Sequence, residues 1–247
     1  MTQEGRRVGW GSLVEAAISA KVSIAPDDSL PTPVPQACRE TRVQVTNEST
    51  LMASRRRVDE GSRPLALNFA NGVQPGGGFL YGARAQEEVL CRSSSLFSTL
   101  VDDPMYDHHR DHVPLESTDW AIYSPDVPIF RGDDGAELEE LWLLSFITCA
   151  APYAPDVGLG RSGELLRRRI QRVLEIARAF QYDTLVLGAW GCGAFGNDPT
   201  RTAADFRRLL ETEFSGDFSD VTFAITDWSP DRKTLGPFRD VFAKGPI

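Results

Sequence analysis

Short apolar segments alternate with helical patterns from residue 41 onward, and this alternation limits the chain to α/β architectures. The apolar segments are rich in β-branched residues and show little polar alternation, which is typical of strands covered on both faces. They span residues 42–46, 65–70, 121–130, 141–150, 184–190 and 221–226. The sequence therefore predicts a three-layer α/β/α fold around a mostly parallel mixed sheet.

Helical periodicity lies between most of these strands. Apolar side chains recur at helical spacing across residues 162–180, and a second apolar stripe runs through residues 86–100. Asp198 followed by Pro199 is a typical helix start, with an N-cap and a proline at the first helical position. Residues 102–119, by contrast, are expected to form a long polar connection.

The first 40 residues differ in composition from the rest. Residues 11–21 are compatible with a short helix, and residues 26–36 contain four of the 16 prolines, which is typical of a linker or a surface loop. We therefore expect residues 1–40 to be an N-terminal extension and residues 41–247 to form one folded domain.

Charge and composition exclude several classes of protein. The net charge is −9, from 26 basic and 35 acidic residues, whereas a protein that binds duplex phosphates is normally basic. The longest apolar run, residues 141–152, is shorter than the ~18 residues of a membrane-spanning helix. No apolar stretch follows Arg6 and Arg7, so we expect no secretory signal. Four widely spaced cysteines favour a reducing, cytoplasmic compartment over a disulfide scaffold.

The densest chemical signal lies in residues 68–94. A strand ends at Ala70, Asn71 follows its carboxyl end, and a run of three glycines comes next: Gly76, Gly77 and Gly78. In open α/β sheets, ligands bind outside the carboxyl ends of the strands. Consecutive glycines are costly to order, and their backbone N–H groups can approach a phosphate or a ribose closely. The alternative is a loose surface turn.

A helix is predicted to begin directly after this loop, at Gln86, Glu87 and Glu88. Acidic residues are common in the first turn of a helix because they complement its dipole, so the pair alone is not diagnostic. Adjacent helical residues point roughly 100° apart. One carboxylate can therefore bind a sugar hydroxyl while its neighbour reaches a scissile oxygen, provided that burial or a neighbouring carboxylate raises the pKa of the donor.

A second glycine-rich segment, residues 187–199, also follows a predicted strand. It leads directly into the helix capped by Asp198 and lacks the signatures of P-loop and Rossmann sites. Backbone donors next to a helix N-terminus favour anion binding. Phe195 is either a side chain that packs on a ribose or base, or an ordinary buried aromatic residue. The glycines of this segment are Gly188, Gly191, Gly193 and Gly196.

Two weaker candidates suggest other chemistry. If residues 107–112 were helical, His108 and His112 would share a face, next to His109, and could hold a metal. The polar character of that segment favours a loop without metal. Cys192 could be a nucleophile, but with no histidine nearby in sequence it is better explained as a small residue lining the loop. We therefore expect neither a metal nor a cofactor.

The two glycine-rich segments together resemble the macrodomain superfamily and, within it, the bacterial-type poly(ADP-ribose) glycohydrolases. The signature of that family is a GGG run, a spacer and QEE, and here it is GGGFLYGARAQEE at residues 76–88. The resemblance extends in collinear order over roughly residues 41–230. Its other segments are YSPDVPIFR (123–131), TCAAP (148–152), LVLGAWGCGAFGNDP (185–199) and FAITD (223–227).

The resemblance implies that ADP-ribose binds in a cleft at the carboxyl edge of the sheet. Asn71 and Glu87 would hold the distal ribose, and Glu88 would protonate the departing oxygen of the ribose–ribose bond. The three glycines at residues 76–78 would lie along the diphosphate and distal ribose. The remaining implied ligand-binding residues are Gln86, Gly191, Cys192, Gly193, Ala194, Phe195, Gly196 and Asn197.

The implied activity is release of ADP-ribose from poly(ADP-ribose) on modified proteins, by a monomer whose catalytic domain is residues 41–247. Cleavage of an O-glycosidic bond needs a proton donor for the leaving oxygen and stabilisation of an oxocarbenium-like centre. The same carboxylate can then accept a proton from the attacking water. Two alternatives stay open at this stage, namely a hydrolase of singly ADP-ribosylated protein or nucleic acid, and a non-catalytic ADP-ribose-binding domain.

Overall fold

A computed structural model describes residues 9–34, 40–113, 115–243, 245 and 247, and its described strands form one seven-stranded sheet. The strand order is β1-β4-β5-β3-β6-β7-β2. The pairs from β5 to β2 along the sheet are parallel, whereas β4 is antiparallel to both β1 and β5. The strands are β1 (Val22–Ile24), β2 (Arg42–Thr46), β3 (Pro64–Ala70), β4 (Ala121–Arg131), β5 (Glu137–Ala150), β6 (Thr184–Leu187) and β7 (Asp220–Ala224).

Helices cover both faces of the sheet, so the predicted three-layer α/β/α architecture is confirmed. One core packs α1 to α5 against residues such as Ala66 and Phe146, and the other packs α7 to α9 against residues such as Leu67 and Phe223. The described helices are α1 (Gly11–Ala20), α2 (Thr50–Asp59), α3 (Gln86–Ser93), α4 (Leu96–Leu100), α5 (Pro104–His112), α6 (Ala154–Val157), α7 (Leu159–Ala179), α8 (Pro199–Glu211) and α9 (Leu235–Phe242).

The prediction of one helix over residues 86–100 is wrong, because the chain breaks between α3 and α4. Ser94 is extended there and pairs with Ile129 of β4 as an isolated bridge. The backbone N–H of Ser95 donates to the carbonyl of Pro128 at 3.1 Å. These bonds to the sheet replace the bonds that a continuous helix would make.

The prediction of a long polar connection over residues 102–119 is also wrong, because it contains helix α5. Asp103 caps this helix by accepting from the backbone N–H of Met105, and Pro104 occupies its first turn. This is the same Asp-Pro start that correctly predicted α8 at Asp198. The mostly polar composition of α5 hides its one buried face, which carries Met105, Tyr106 and His109.

Residues 11–24 pack on the sheet. Strand β1 pairs with β4, and Lys21 Nζ lies 2.7 Å from Oδ2 of Asp103, whose Oδ1 accepts from Ser23 Oγ at 2.9 Å. The domain boundary predicted after residue 40 stays a prediction, but part of the segment before it contributes an edge strand. None of the described helices combines the length and the apolar character needed to cross a membrane.

Candidate active site

A cavity of about 330 Å³ opens at the carboxyl edge of the sheet, where β3, β6 and β7 end. The two glycine-rich segments meet there because β3 and β6 are parallel neighbours, so their carboxyl ends lie at the same edge. Eight of the predicted site residues line this cavity: Asn71, Gln86, Glu87, Glu88, Gly191, Gly193, Ala194 and Phe195.

Gln86 fastens the first turn of α3 to strand β3. Its Oε1 accepts from the backbone N–H of Phe69 at 2.9 Å, and its Nε2 donates to the carbonyl of Leu67 at 2.7 Å and to Thr50 Oγ1 at 3.1 Å. Both amide protons are thereby used within the protein. Gln86 therefore positions the two glutamates that follow it, and its predicted contact with a ligand stays a prediction.

Glu87 is a buried carboxyl group with only 3% of its surface exposed. Its Oε2 accepts from the backbone N–H of Asn71 at 2.7 Å, and its Oε1 accepts from Asn68 Nδ2 at 3.3 Å. Burial raises the pKa of Glu87 to about 8, although the hydrogen bonds from Asn71 and Asn68 oppose that shift. Glu87 is therefore mostly protonated at neutral pH.

Glu88 combines burial with an unused oxygen. The residue is 9% exposed and lines the cavity, and its Oε1 accepts from the backbone N–H of Gly78 at 3.0 Å. Its Oε2 is buried and has no hydrogen-bond partner among the described residues. Because a buried polar atom without a partner is costly, this oxygen needs a hydrogen-bond partner that the described protein residues do not supply.

The glycine run lets the backbone pass directly beside these carboxylates. Gly76 and Gly77 have φ values of +69° and +57°, in the left-handed region that favours glycine. A Cβ atom on Gly77 would collide with Oε1 of Glu88 and lie 3.1 Å from Oε2 of Glu87. Glycine at residue 77 therefore leaves room for the two carboxylates. The predicted contact of the three glycines with the diphosphate and ribose stays a prediction.

Asn197 holds the second glycine-rich loop together from inside the protein. It is 4% exposed, its Nδ2 donates to the carbonyls of Pro152 at 2.9 Å and Gly191 at 3.2 Å, and its Oδ1 accepts from Ser162 Oγ. Gly191 again needs its left-handed backbone, with φ +74°. Six predicted residues are absent from the cavity wall: Gly76, Gly77, Gly78, Cys192, Gly196 and Asn197.

The comparisons with known proteins agree with this geometry. Residues 1–132 match the family described as the microbial-type PARG catalytic domain. The poly(ADP-ribose) glycohydrolase (PARG) of Thermomonospora curvata has a TM-score of 0.91 and 38% identity, over 98% of this chain and 93% of that one. The chain belongs to the microbial-type PARG family. The resemblance predicted from the GGG and QEE motifs is therefore confirmed.

Two further PARG structures carry bound molecules. The T. curvata enzyme bound to the inhibitor ADP-HPD has a TM-score of 0.88 and 38% identity, over 97% of this chain and 92% of that one. The Deinococcus radiodurans enzyme in complex with ADP-ribose has a TM-score of 0.84 and 37% identity, over 96% of this chain and 98% of that one. Among curated proteins, none matches this PARG-family chain in sequence.

The histidines of α5 and Cys192 do not line the cavity of this PARG-family site. Among the described residues, no cluster of three potential metal ligands forms. His109 is buried: its Nδ1 donates to the carbonyl of Gly72 at 2.9 Å, its Nε2 accepts from the N–H of Thr118 at 3.0 Å, and burial lowers its pKa to about 4. Burial raises the pKa of Cys192 to about 12, so its thiol is not an activated nucleophile.

Several lining residues of the cavity were not predicted. Ile225 and Thr226 directly follow β7, whose carboxyl end lies at the same edge, so the strand pattern contained a signal for them. Thr234 precedes α9 and carries no such signal. The apolar pattern predicts Phe69 and Trp190 as strand residues without a role in a site; for Trp190 this is wrong, because β6 ends at Leu187. Trp190 is fully buried, and its indole N–H has no partner among the described residues.

We expect Glu87 to make the protein less stable as the pH rises from about 4.5 to about 8. In that range the folded protein keeps the proton of Glu87, since its pKa is about 8, while the unfolded chain has lost it because an ordinary glutamate has a pKa of 4.5. Glu87→Gln cannot ionise. Its Tm should therefore fall less than the wild-type Tm between pH 5 and pH 8, by several degrees, because 1 kcal/mol shifts Tm by about 2–4 °C at this size.

Thermal unfolding followed by circular dichroism at several pH values measures this difference. Glu139→Gln is the matched control, because Glu139 is exposed on β5 and the substitution removes the same charge. The control should follow the wild-type curve. Parallel curves for wild type and Glu87→Gln would show that Glu87 ionises normally in the folded protein.

Proposed function

We propose that this chain hydrolyses the O-glycosidic ribose–ribose bond of poly(ADP-ribose) and releases ADP-ribose, with Glu88 as the proton donor. The observation that carries the proposal is the buried Oε2 of Glu88, which has no partner in the described part of the chain and belongs to a residue of the cavity wall. Membership of the PARG family and the structural similarity to PARGs crystallised with ADP-ribose and ADP-HPD support it.

In this proposal the terminal ADP-ribose unit lies across the cavity. Asn71 and Glu87 hold the distal ribose, and the neutral carboxyl of Glu87 can donate to or accept from a ribose hydroxyl. The segment from Gly191 to Phe195 lines the opposite wall, where backbone N–H groups suit a diphosphate. This placement gives the anomeric carbon a position beside Glu88, which the family signature at residues 76–88 supports.

The proposed reaction uses one carboxyl group twice. Glu88 transfers its proton to the leaving ribose oxygen as the glycosidic bond breaks, and positive charge develops on the distal ribose. A water molecule then attacks the anomeric carbon and gives its proton to the ionised Glu88. The net change is addition of one water across the bond. Negative charge on the bound diphosphate favours a protonated carboxyl in the cavity before the reaction.

We further propose that the substrate is polymer attached to modified proteins, and that the chain acts as a monomer in the cytoplasm without binding duplex nucleic acid. Cys91, Cys149 and Cys192 are free thiols, as expected in a reducing compartment. The net charge of −9 disfavours duplex phosphates. The catalytic domain in this proposal is residues 41–247, with residues 1–40 as an extension.

The direct test is incubation of the purified chain with poly(ADP-ribose), followed by chromatographic measurement of free ADP-ribose. We expect ADP-ribose to accumulate as the polymer shortens. A singly ADP-ribosylated protein and a singly ADP-ribosylated oligonucleotide serve as parallel substrates. Turnover of these alone would favour a mono-ADP-ribosyl hydrolase. Calorimetric binding of ADP-ribose without turnover of any substrate would favour a non-catalytic binding domain.

A further inference from the structure

Two adjacent apolar side chains next to the carboxylate pair face solvent. Leu80 is 68% exposed and Tyr81 is 83% exposed. Both belong to the 3₁₀ turn Phe79–Tyr81, which directly follows the glycine run. Tyr81 has the largest exposed fraction among the exposed large hydrophobic residues of the described chain. Single exposed hydrophobics are ordinary, but these two are adjacent and closely follow Gly78, whose N–H donates to Glu88.

This turn is fixed to the residue that binds Glu88. The backbone N–H of Gly78 donates to Glu88 Oε1 at 3.0 Å, and the carbonyl of Gly78 accepts from the N–H groups of Tyr81 at 2.9 Å and Ala83 at 3.2 Å. Arg92 Nη1 donates to the carbonyl of Ala83 at 2.6 Å. Hydrogen bonds on both sides therefore fix the backbone of the turn that carries Leu80 and Tyr81, next to the residue that bonds Glu88.

The base of the turn is packed into the protein. The ring of Phe79 lies 4.7 Å from that of Phe97 on α4, measured between centroids. The first residue of the turn is thus an anchor, while the next two project outward. The backbone of the turn is already ordered, so a flat partner that stacks on Tyr81 needs to order only the side chain.

The position of the turn determines which part of a substrate can reach it, and this step rests on the proposed function. If the terminal unit fills the cavity and Glu88 protonates the leaving oxygen, then the rest of the substrate, which is attached to that oxygen, extends out of the cavity past Glu88. In poly(ADP-ribose) that group is the ribose of an adenosine. Adenine is flat, uncharged and aromatic, so it suits stacking on an exposed tyrosine with an apolar neighbour.

We propose that Leu80 and Tyr81 form a leaving-side subsite that binds the adenine of the next ADP-ribose unit. The terminal unit then supplies affinity inside the cavity, and the second unit supplies additional affinity on the turn. Stacking of a base on an aromatic side chain contributes about 1–3 kcal/mol, which corresponds to a factor of about 5 to 150 in affinity. The subsite thus favours polymer over a substrate with one ADP-ribose unit.

Calorimetry in a Glu88→Gln background tests this proposal without turnover. The probes are ADP-ribose and the linear dimer of two ADP-ribose units. We expect the dimer to bind at least about fivefold more tightly than ADP-ribose. Addition of Tyr81→Ala should remove that difference and leave the affinity for ADP-ribose within about twofold. Tyr81→Phe, which keeps the stacking face, should retain the difference.

Met52→Ala is the matched control, because Met52 is 58% exposed on α2 and lines a separate groove. It should leave both affinities unchanged. Equal affinities for dimer and monomer before Tyr81 is changed would overturn the subsite, and so would a dimer preference that survives Tyr81→Ala. Failure of the Glu88→Gln protein to bind either probe would instead count against the proposed function.

Discussion

Replacement of Glu88 by glutamine is expected to lower kcat on poly(ADP-ribose) by about 10²- to 10⁴-fold, the usual contribution of general acid–base catalysis. Glutamine has nearly the same shape and can still accept the N–H of Gly78 through its side-chain oxygen. It has no acidic proton for the leaving oxygen. ADP-ribose affinity should therefore change little while turnover is lost.

Initial rates of ADP-ribose release and calorimetry of ADP-ribose binding measure these two quantities separately. Glu139→Gln, on the exposed part of β5, controls for the loss of one negative charge and should keep wild-type kcat. A Glu88→Gln enzyme that turns over at the wild-type rate would exclude Glu88 as the acid. Loss of binding together with turnover would indicate a collapsed site instead of a missing proton.

Replacement of Gly77 by alanine should damage both stability and catalysis. The left-handed backbone at φ +57° costs a non-glycine residue about 1–2 kcal/mol. The new Cβ would also collide with Oε1 of Glu88 and lie 3.1 Å from Oε2 of Glu87. Displacement of reacting groups by about 1 Å can cost about 10²-fold in rate. We expect kcat to fall at least about tenfold.

Gly61→Ala separates backbone strain from the effect on the carboxylates. Gly61 has φ +87°, and a Cβ atom there would meet nothing within 4 Å. The stability of Gly61→Ala should fall only by the cost of the left-handed backbone, and its kcat should equal the wild-type value. Gly77→Ala should lose more stability and most of its activity. Urea unfolding and initial rates compare the two. Full activity in Gly77→Ala would show that the glycine is not needed for the position of Glu88.

The element predictions succeeded where burial alone determined the residue types. β3, β6, β7 and residues 144–150 of β5 are covered on both faces, so continuous apolar runs indicated them. Strand β1 has three residues, of which only Ile24 is buried, and so it left no comparable pattern. The arginine-rich α2 was not predicted either, because its buried residues include Ser54 and Arg57 alongside Leu51 and Ala53.

The sequence indicated that both glycine-rich segments follow strands, and the family resemblance placed them in one cleft. Parallel strands bring their carboxyl ends to the same edge of a sheet, which agrees with that placement. The same reasoning did not predict that Gln86 and Asn197 would bond to the protein itself, because their partners lie far away in the chain. For example, Gln86 bonds to Thr50, 36 residues away.

The sequence by itself determined the layered α/β fold, the family and the segment that carries the carboxylates, because local patterns and motif spacing contain that information. Only the tertiary structure decided how two adjacent glutamates differ. Glu87 receives N–H groups from Asn71 and Asn68, whereas Glu88 keeps one buried oxygen without a partner among the described residues. Burial and hydrogen-bond supply depend on strands and loops distant in sequence, and these set the protonation of a carboxyl group.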